Sequence, residues 1–175
     1  MSTHHPLTMN LTRTLIIGNS GSGKSWLAKR LAEHLQVPWI DLDLIHWISD
    51  EHSIARPRAE ALGMARVAAS KERWVIEGVY GWMVSELVKQ ATALIWLCLE
   101  DEDCVSHIRQ REAKRDDSDE LLIALQDWAG SYRTREGSSG FAAHQCLFEG
   151  FSALKFQLMN RDEVTAFVST MQQAD

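Results

Sequence analysis

Eight consecutive residues carry the strongest chemical signal in the sequence. They are Gly18, Asn19, Ser20, Gly21, Ser22, Gly23, Lys24 and Ser25. The run fits the pattern GxxxxGK(S/T), in which the glycines let successive N–H groups point inward and a following helix adds its positive dipole end. Such a loop cradles phosphates. We therefore predict that it binds ATP, that Lys24 reaches the β- and γ-phosphates, and that the Ser25 hydroxyl binds Mg²⁺.

The residues of this loop allow two other interpretations. Gly21 and Gly23 could begin the GxGxxG pattern of dinucleotide-binding folds, but the third glycine would fall at Trp26, whose bulk prevents close approach of the helix. A glycine-rich turn that binds nothing is the other alternative. We favour the phosphate loop and include Trp26 among the ATP-binding residues, because it directly follows the loop.

Acidic residues follow the next apolar run. Asp41 and Asp43 are two apart, and in an extended chain such residues project the same way, so we expect both to face one site. Carboxylates beside phosphates can hold Mg²⁺ or accept a proton from an attacking hydroxyl. We predict the first role for Asp41 and the second for Asp43, with His46 and Trp47 contacting the acceptor. The alternative is that an Asp caps a helix or turn.

A third carboxylate ends the third apolar run. Glu77 is followed by Gly78, and we predict that Glu77 binds Mg²⁺ while Gly78 and Tyr80 contact the acceptor. A solvated charge at a strand end is the alternative. The fourth apolar run ends at Cys98, where many P-loop proteins carry an Asp, and Glu100 lies just beyond it. The choice of the Mg²⁺-binding acid is therefore left open.

Basic residues cluster after the fourth apolar run despite the acidic balance of the chain. We predict a lid at about 109–140, in which Arg109 binds ATP and Arg111 and Arg115, four residues apart on one helix face, stabilise the transferring phosphoryl group. A salt-bridged surface helix is the alternative, because acidic residues surround these arginines.

A zinc site is not expected. Cys104 and His107 form one candidate pair, and His144 and Cys146 another, but the second spacing is poor and no CxxC occurs.

The elements that must position these residues alternate in type. Short apolar runs predict strands at 14–18, 38–41, 74–78, 94–99 and 154–158. Helical patterns occupy 26–36, 58–71, 102–115, 119–133 and 162–172, and a further helix follows a polar break at 135–140. This alternation predicts a parallel sheet covered on both faces, with ligands at the carboxyl ends of the strands.

Composition limits the remaining possibilities. The chain has 175 residues, 45% of them hydrophobic, and a net charge of −6 from 18 Lys and Arg against 24 Asp and Glu. We predict one domain over 1–175, with an acceptor-side segment at about 43–73. Nucleic-acid binding is not expected from this charge. Nor do we expect a membrane helix or a signal peptide, so we predict a cytoplasmic protein with reduced cysteines.

Longer runs resemble the DNA topology modulation proteins, a family of adenylate-kinase-related P-loop kinases. The resemblance rests on Pro38 with the run 42–47, on Trp74-Val-Ile-Glu77-Gly78-Val79-Tyr80, and on the closing run 160–167. It implies a three-layer α/β/α fold of the nucleoside-monophosphate-kinase type, with a five-stranded parallel sheet in the order 2-3-1-4-5 and a mobile lid. Glu77 replaces the family's Asp. Val79 replaces its Asn, and no Arg follows, which argues against AMP as the acceptor.

These observations lead to two functional expectations. The first is Mg²⁺-assisted phosphoryl transfer from ATP to an unidentified small molecule or nucleotide. The second is an ATP-binding or ATP-hydrolysing switch that has no acceptor and is read by a partner protein.

Overall fold

Five parallel strands form the centre of the molecule. The computed structural model describes residues 9–48, 54–112 and 119–172. The strands are β1 (Arg13–Gly18), β2 (Trp39–Asp41), β3 (Trp74–Gly78), β4 (Ala93–Leu97) and β5 (Leu154–Leu158). They lie in the order β2-β3-β1-β4-β5, and all neighbours are parallel. The predicted sheet and its strand order are confirmed.

Helices cover both faces of this sheet. They are α1 (Lys24–Leu35), α2 (Leu42–His46), α3 (Arg58–Ala69), α4 (Gly81–Leu87), α5 (Asp101–Glu112), α6 (Asp119–Gly130), α7 (Phe141–Gly150) and α8 (Arg161–Gln172). A short 3-10 turn, Val88–Gln90, joins α4 to β4. Because a parallel sheet needs a crossover between consecutive strands, the chain alternates strand and helix along most of its length.

The core consists of two apolar layers separated by the sheet. In β1, Leu15 and Ile17 point into a layer that also contains residues of α2, α3, α4 and α7. Ile16 points to the opposite layer, which contains residues of α1, α5 and α8. All three side chains are fully buried. The continuous apolar run in β1 follows from this burial on both faces.

The first turn after β2 differs from the sequence prediction. We expected an extended segment through Asp43, but α2 begins at Leu42. The cause is local, because the Asp41 side chain accepts a hydrogen bond from the Asp43 backbone N–H at 2.8 Å and so caps the helix. The extended conformation expected for 41–43 was therefore wrong, although the charges of both Asp41 and Asp43 still act on Glu77.

Other differences are smaller. Helix α4 was not predicted, and β4 ends two residues earlier than expected, at Leu97. The division into a single domain with an acceptor-side segment and a lid stays a prediction. Within the three described stretches, no helix has both the length and the apolar character needed to cross a membrane.

Candidate active site

The loop between β1 and α1 is shaped by glycines with positive φ. Gly18, Gly21 and Gly23 have φ values of 152°, 78° and 95°. L side chains rarely adopt these conformations. A Cβ on Gly18 would lie 2.5 Å from the Leu97 carbonyl oxygen, and one on Gly21 would lie 2.4 Å from the Cys104 carbonyl oxygen. Glycine thus supplies both the curl and the space that seats the loop against β4 and α5.

The N-terminus of α1 is arranged to receive an anion. Gly23 precedes the helix, and no side chain that the structure describes caps its first turn. That turn holds no acidic residue, so its N–H groups and dipole carry uncompensated positive charge. A Cβ on Gly23 would meet no atom within 4 Å, so this side of the loop is open. These features fit a phosphate group.

Two loop side chains add to this fit. Lys24 Nζ donates to the Asn19 carbonyl oxygen at 2.8 Å, which folds the ammonium group back over the loop. The Ser22 hydroxyl is buried without a hydrogen-bond partner among the described residues. An unpartnered buried donor is costly, and a phosphate oxygen would satisfy it. The loop residues therefore fit the phosphates of ATP.

A serine and a buried carboxylate meet beside the loop. Ser25 Oγ donates to Glu77 Oε1 at 2.7 Å, and Glu77 is only 2% exposed. Glu77 lies opposite Ile16 of β1 and Asp41 of β2 in the sheet register, which brings the ends of three strands together.

The carboxyl group of Glu77 is strongly perturbed. Its pKa is raised to about 7, chiefly by burial and also by the nearby charges of Asp41 and Asp43, whereas Lys24 and the Ser25 hydrogen bond oppose the rise. A divalent cation would favour the charged form that burial disfavours. Hydroxyl and carboxylate oxygens are also the ligands that Mg²⁺ prefers. This pair therefore fits a magnesium site.

A second carboxylate is oriented by a chain of hydrogen bonds. Tyr80 Oη donates to Asp43 Oδ1 at 2.5 Å, and Trp47 Nε1 donates to Tyr80 Oη at 2.8 Å. Burial and the charge of Asp43 raise the pKa of the Tyr80 phenol far above its usual range, so the phenol stays protonated. The Asp43 carboxylate is thus the acceptor at the end of the chain, and one of its oxygens is held by a neutral donor.

Aromatic rings cluster next to the Tyr80 ring, whose hydroxyl donates to this carboxylate. The centroid of the His46 ring lies 4.6 Å from that of Trp47, 4.4 Å from that of Tyr80 and 6.1 Å from that of Trp82. Burial lowers the pKa of His46, Asp43 opposes this effect, and Arg58 lowers the pKa further. His46 is therefore a neutral ring in an aromatic cluster.

Gly78 has a packing function that its sequence position does not reveal. A Cβ on Gly78 would lie 2.7 Å from the Leu42 Cβ, so glycine allows α2 to approach β3. This contact holds α2, and with it Asp43, beside the end of β3.

Of the predicted lid arginines, Arg109 is described in contact with helix α6. Arg109 is exposed, and its Nε donates to Gln126 Oε1 of α6 at 2.7 Å. Arg111 is exposed near the end of α5. Arg115 lies outside the described residues. Trp26 is 43% exposed, and its ring centroid lies 4.3 Å from the Arg30 guanidinium.

Glu100, the acid just beyond β4, pairs with an arginine. Cys98 is buried there, and the Glu100 carboxylate is 66% exposed and pairs with Arg133 at 2.8 Å. Among the described residues, Glu77 is the carboxylate that contacts Ser25. This contact favours Glu77 in the choice that the sequence left open.

Sequence reasoning missed two histidines with contacts around the site. His107 Nδ1 lies 2.9 Å from the Gly21 carbonyl oxygen, and His144 is fully buried next to Val79. They entered the sequence analysis as zinc candidates. No group of three His, Cys, Asp or Glu residues in the described part of the chain could hold a metal ion. Their contacts are between distant segments, so no local pattern could reveal them.

Comparison with known proteins defines the class of fold. The chain is similar to the shikimate kinase from Acinetobacter baumannii solved in complex with shikimate, with a TM-score of 0.58 and 16% identity over 95% of this chain and 93% of that one. A shikimate kinase from Bacteroides thetaiotaomicron has a TM-score of 0.54 and 20% identity over 93% of this chain and 97% of that one. A gluconokinase from Sinorhizobium meliloti 1021 has a TM-score of 0.53 and 16% identity over 94% of this chain and 95% of that one. The molecule has the P-loop kinase fold.

The comparisons go no further than the fold. No family model matches the chain, and no curated protein matches it. Membership of the DNA topology modulation family therefore stays a prediction, as do the roles of the individual site residues.

Proposed function

We propose that the protein transfers a phosphoryl group from ATP to a small hydroxylated molecule or a nucleotide, with the help of Mg²⁺. One observation carries the proposal. Two carboxylates with different surroundings, Glu77 on the Ser25 hydroxyl and Asp43 on the Tyr80 phenol, lie at the carboxyl ends of adjacent strands beside an anion-binding loop. Such a division suits a reaction that needs both a cation ligand and a proton acceptor.

The phosphate loop would bind the nucleotide. Backbone N–H groups from Gly18 to Ser25 would hold the phosphates, and the Lys24 ammonium would turn from the Asn19 carbonyl to the transferring group. Arginines of the lid, including Arg109, Arg111 and Arg115, would approach when the lid closes and would help to exclude water. Catalysis would rest on positioning and electrostatic stabilisation.

The magnesium ligands would be Ser25 and Glu77, with Asp41 contributing from the neighbouring strand. When bound, Mg²⁺ neutralises charge on the phosphates. Deprotonated Glu77 would be required for this role. Because burial raises the pKa of Glu77 to about 7, proton loss and cation binding would be coupled.

The acceptor hydroxyl would give its proton to Asp43. The Tyr80 phenol occupies Oδ1 of Asp43, so the other oxygen would meet the acceptor. His46, Trp47, Gly78 and Tyr80 would shape the pocket around it. We propose a hydroxylated metabolite before a nucleotide, because the similar structures include a shikimate kinase with bound shikimate and a gluconokinase.

The test is ATP consumption coupled to product detection across a panel of acceptors. The panel contains shikimate, gluconate, other hydroxylated carboxylates, sugars, nucleosides and nucleoside monophosphates. Lys24→Ala should abolish transfer, whereas Lys29→Ala should not, because Lys29 lies on the same helix but its ammonium packs over the Trp39 ring at 4.7 Å. Transfer by Lys24→Ala at the wild-type rate would contradict the proposal.

An ATP-dependent switch would give a different result. It would bind ATP tightly, hydrolyse it slowly and show no stimulation by any acceptor at any concentration. That outcome would replace the kinase proposal.

A further inference from the structure

A chain of hydrogen bonds crosses the core beside the candidate site. Trp96 Nε1 donates to Tyr132 Oη at 3.1 Å, Tyr132 Oη lies 2.7 Å from His144 Nδ1, and His144 Nε2 lies 3.0 Å from the Val79 carbonyl oxygen. Tyr132 and His144 are fully buried, and Trp96 is 2% exposed. The four residues come from β4, the segment after α6, α7 and the turn after β3, so the chain joins four parts of the fold.

The direction of every donor in this chain is determined. A carbonyl oxygen can only accept, so His144 Nε2 must carry the hydrogen. In a neutral ring Nδ1 then accepts, and Tyr132 must donate to it. The pKa of His144 is lowered to about 4, chiefly by burial and also by the charges of Lys24 and Arg135, although the hydrogen bond to Val79 opposes this, so the ring is neutral near pH 7. A neutral His144 therefore binds Tyr132 and Val79 at the same time.

One end of the chain contacts the turn that carries the acceptor-side residues, through the Val79 carbonyl oxygen. Val79 lies between Gly78 and Tyr80, and Tyr80 donates to Asp43. The segment after α6 also lies close to this turn, because a Cβ on Gly81 would lie 1.8 Å from the Ser138 carbonyl oxygen. A shift of His144 would therefore move the backbone that aims Tyr80 at Asp43.

A branch that starts at the backbone of Tyr132 reaches the phosphate loop. The Tyr132 backbone N–H donates to the Ala129 carbonyl oxygen at 3.3 Å, and Asn19 Nδ2 donates to the same oxygen at 2.8 Å. The end of α6 is thus tied both to the loop and to Tyr132. Hydrogen bonds on the backbone and on the side chain of Tyr132 therefore link Asn19 to the Val79 carbonyl through this one residue.

We propose that His144 is a positioning residue that couples the base of the lid and the phosphate loop to the Asp43–Tyr80 pair. The proposal rests on the proposed function, since it assigns His144 to the geometry of phosphoryl transfer rather than to stability alone. Buried hydrogen-bond networks with a single donor pattern define one arrangement of their surroundings. In this role His144 need not touch either substrate.

Activity measurements provide the first test. Tyr132→Phe keeps the ring but removes the hydroxyl, and His144→Gln keeps one donor and one acceptor on a planar group. We expect His144→Ala and Tyr132→Phe to lower kcat by roughly 10- to 100-fold with KM for ATP within about twofold, because small displacements of reacting groups reduce rates steeply. His144→Gln should recover most of the loss. Phe148→Leu, which alters packing on Trp96 without touching a hydrogen bond of the chain, should leave kcat unchanged.

A second readout separates this proposal from the proposed function. In a ¹⁵N-labelled sample, the indole N–H of Trp47 reports its hydrogen bond to Tyr80, and Trp47→Phe assigns the signal. His144→Ala and Tyr132→Phe should shift this signal, whereas Phe148→Leu should not. If the wild type phosphorylates no acceptor but the signal shifts, the coupling stands and the proposed function fails. If stability falls while the Trp47 signal and kcat stay unchanged, His144 is only a core residue and the proposal is overturned.

Discussion

The buried carboxyl group of Glu77 should make the stability of the protein depend on pH. Its ordinary pKa is 4.5, and burial raises the pKa to about 7 in the folded state. The folded protein therefore holds this proton more tightly than the unfolded chain does. The contribution of Glu77 to the free energy of unfolding is greatest below about pH 4.5, falls as the pH rises from 4.5 to about 7, and is constant above that range. The difference between the two pKa values means that about 3 kcal/mol of unfolding free energy is lost when Glu77 is fully deprotonated.

The perturbation that isolates this effect is Glu77→Gln. Glutamine keeps an oxygen that can accept from Ser25 Oγ, but it has no carboxyl group to lose a proton. Above neutral pH we expect the variant to be more stable than the wild type by about 2 to 3 kcal/mol, and near pH 5 by less than about 1 kcal/mol, from the same linkage.

Urea denaturation at several pH values from about 5 to about 8.5 measures both curves. Glu72→Gln is the matched control, because it removes the same charge from an exposed position. Wild type and Glu77→Gln curves that run parallel over this range would refute the assignment of a raised pKa to Glu77.

Magnesium should act on the same group. A cation bound to the Ser25–Glu77 pair favours the charged carboxylate, so Mg²⁺ with a non-hydrolysable ATP analogue should stabilise the wild type more at pH 8 than at pH 6. Glu77→Gln should lose that pH dependence. An equal effect of Mg²⁺ on both proteins at both pH values would place the cation elsewhere.

Further predictions follow from other contacts. Tyr80→Phe removes the donor to Asp43, so kcat for phosphoryl transfer should fall by roughly 10- to 100-fold with little change in ATP affinity, and a kcat within twofold of the wild type would contradict this. Gly81→Ala should lower the unfolding free energy by more than about 2 kcal/mol, because its Cβ would meet the backbone of Ser138. Gly63→Ala is the control, because its Cβ would lie in open space, and it should raise the unfolding free energy by about 0.5 to 1 kcal/mol. The same urea titration measures both variants. A thiol reagent should modify Cys146, which is exposed, and spare Cys104, whose pKa burial raises to about 12; equal rates for both thiols in the native protein would count against the buried position.

Local patterns were enough to predict most of the sheet. Leu15, Ile16 and Ile17 are consecutive apolar residues because β1 is buried on both faces, and its end at Gly18 begins the phosphate loop. Predicted strands at 74–78 and 154–158 match β3 and β5 in full. Such elements are readable because their hydrophobic pattern directly reflects which faces they bury.

The same reasoning failed where two local preferences compete. The segment 41–43 reads as the end of a strand, but the Asp41 carboxylate caps a helix that starts one residue later. Asp43 therefore lies in the first turn of helix α2 and not in an extended strand. A single side-chain hydrogen bond decided between the two conformations, and periodicity carries no information about it.

By itself, the sequence determined the loop Gly18–Ser25, the alternation of strands and helices, and two acidic positions, Asp43 shortly after the second strand and Glu77 near the end of the third. These features depend on residues that are close together in the sequence, so a local pattern is enough to predict them. Only the tertiary structure decided that Glu77 meets Ser25, that Tyr80 donates to Asp43, and that His144 joins Tyr132 to Val79. Each of these contacts joins residues brought together by strand order and helix packing. The chemistry of the site depends on such contacts, because burial and partners set the proton and charge of every group in it.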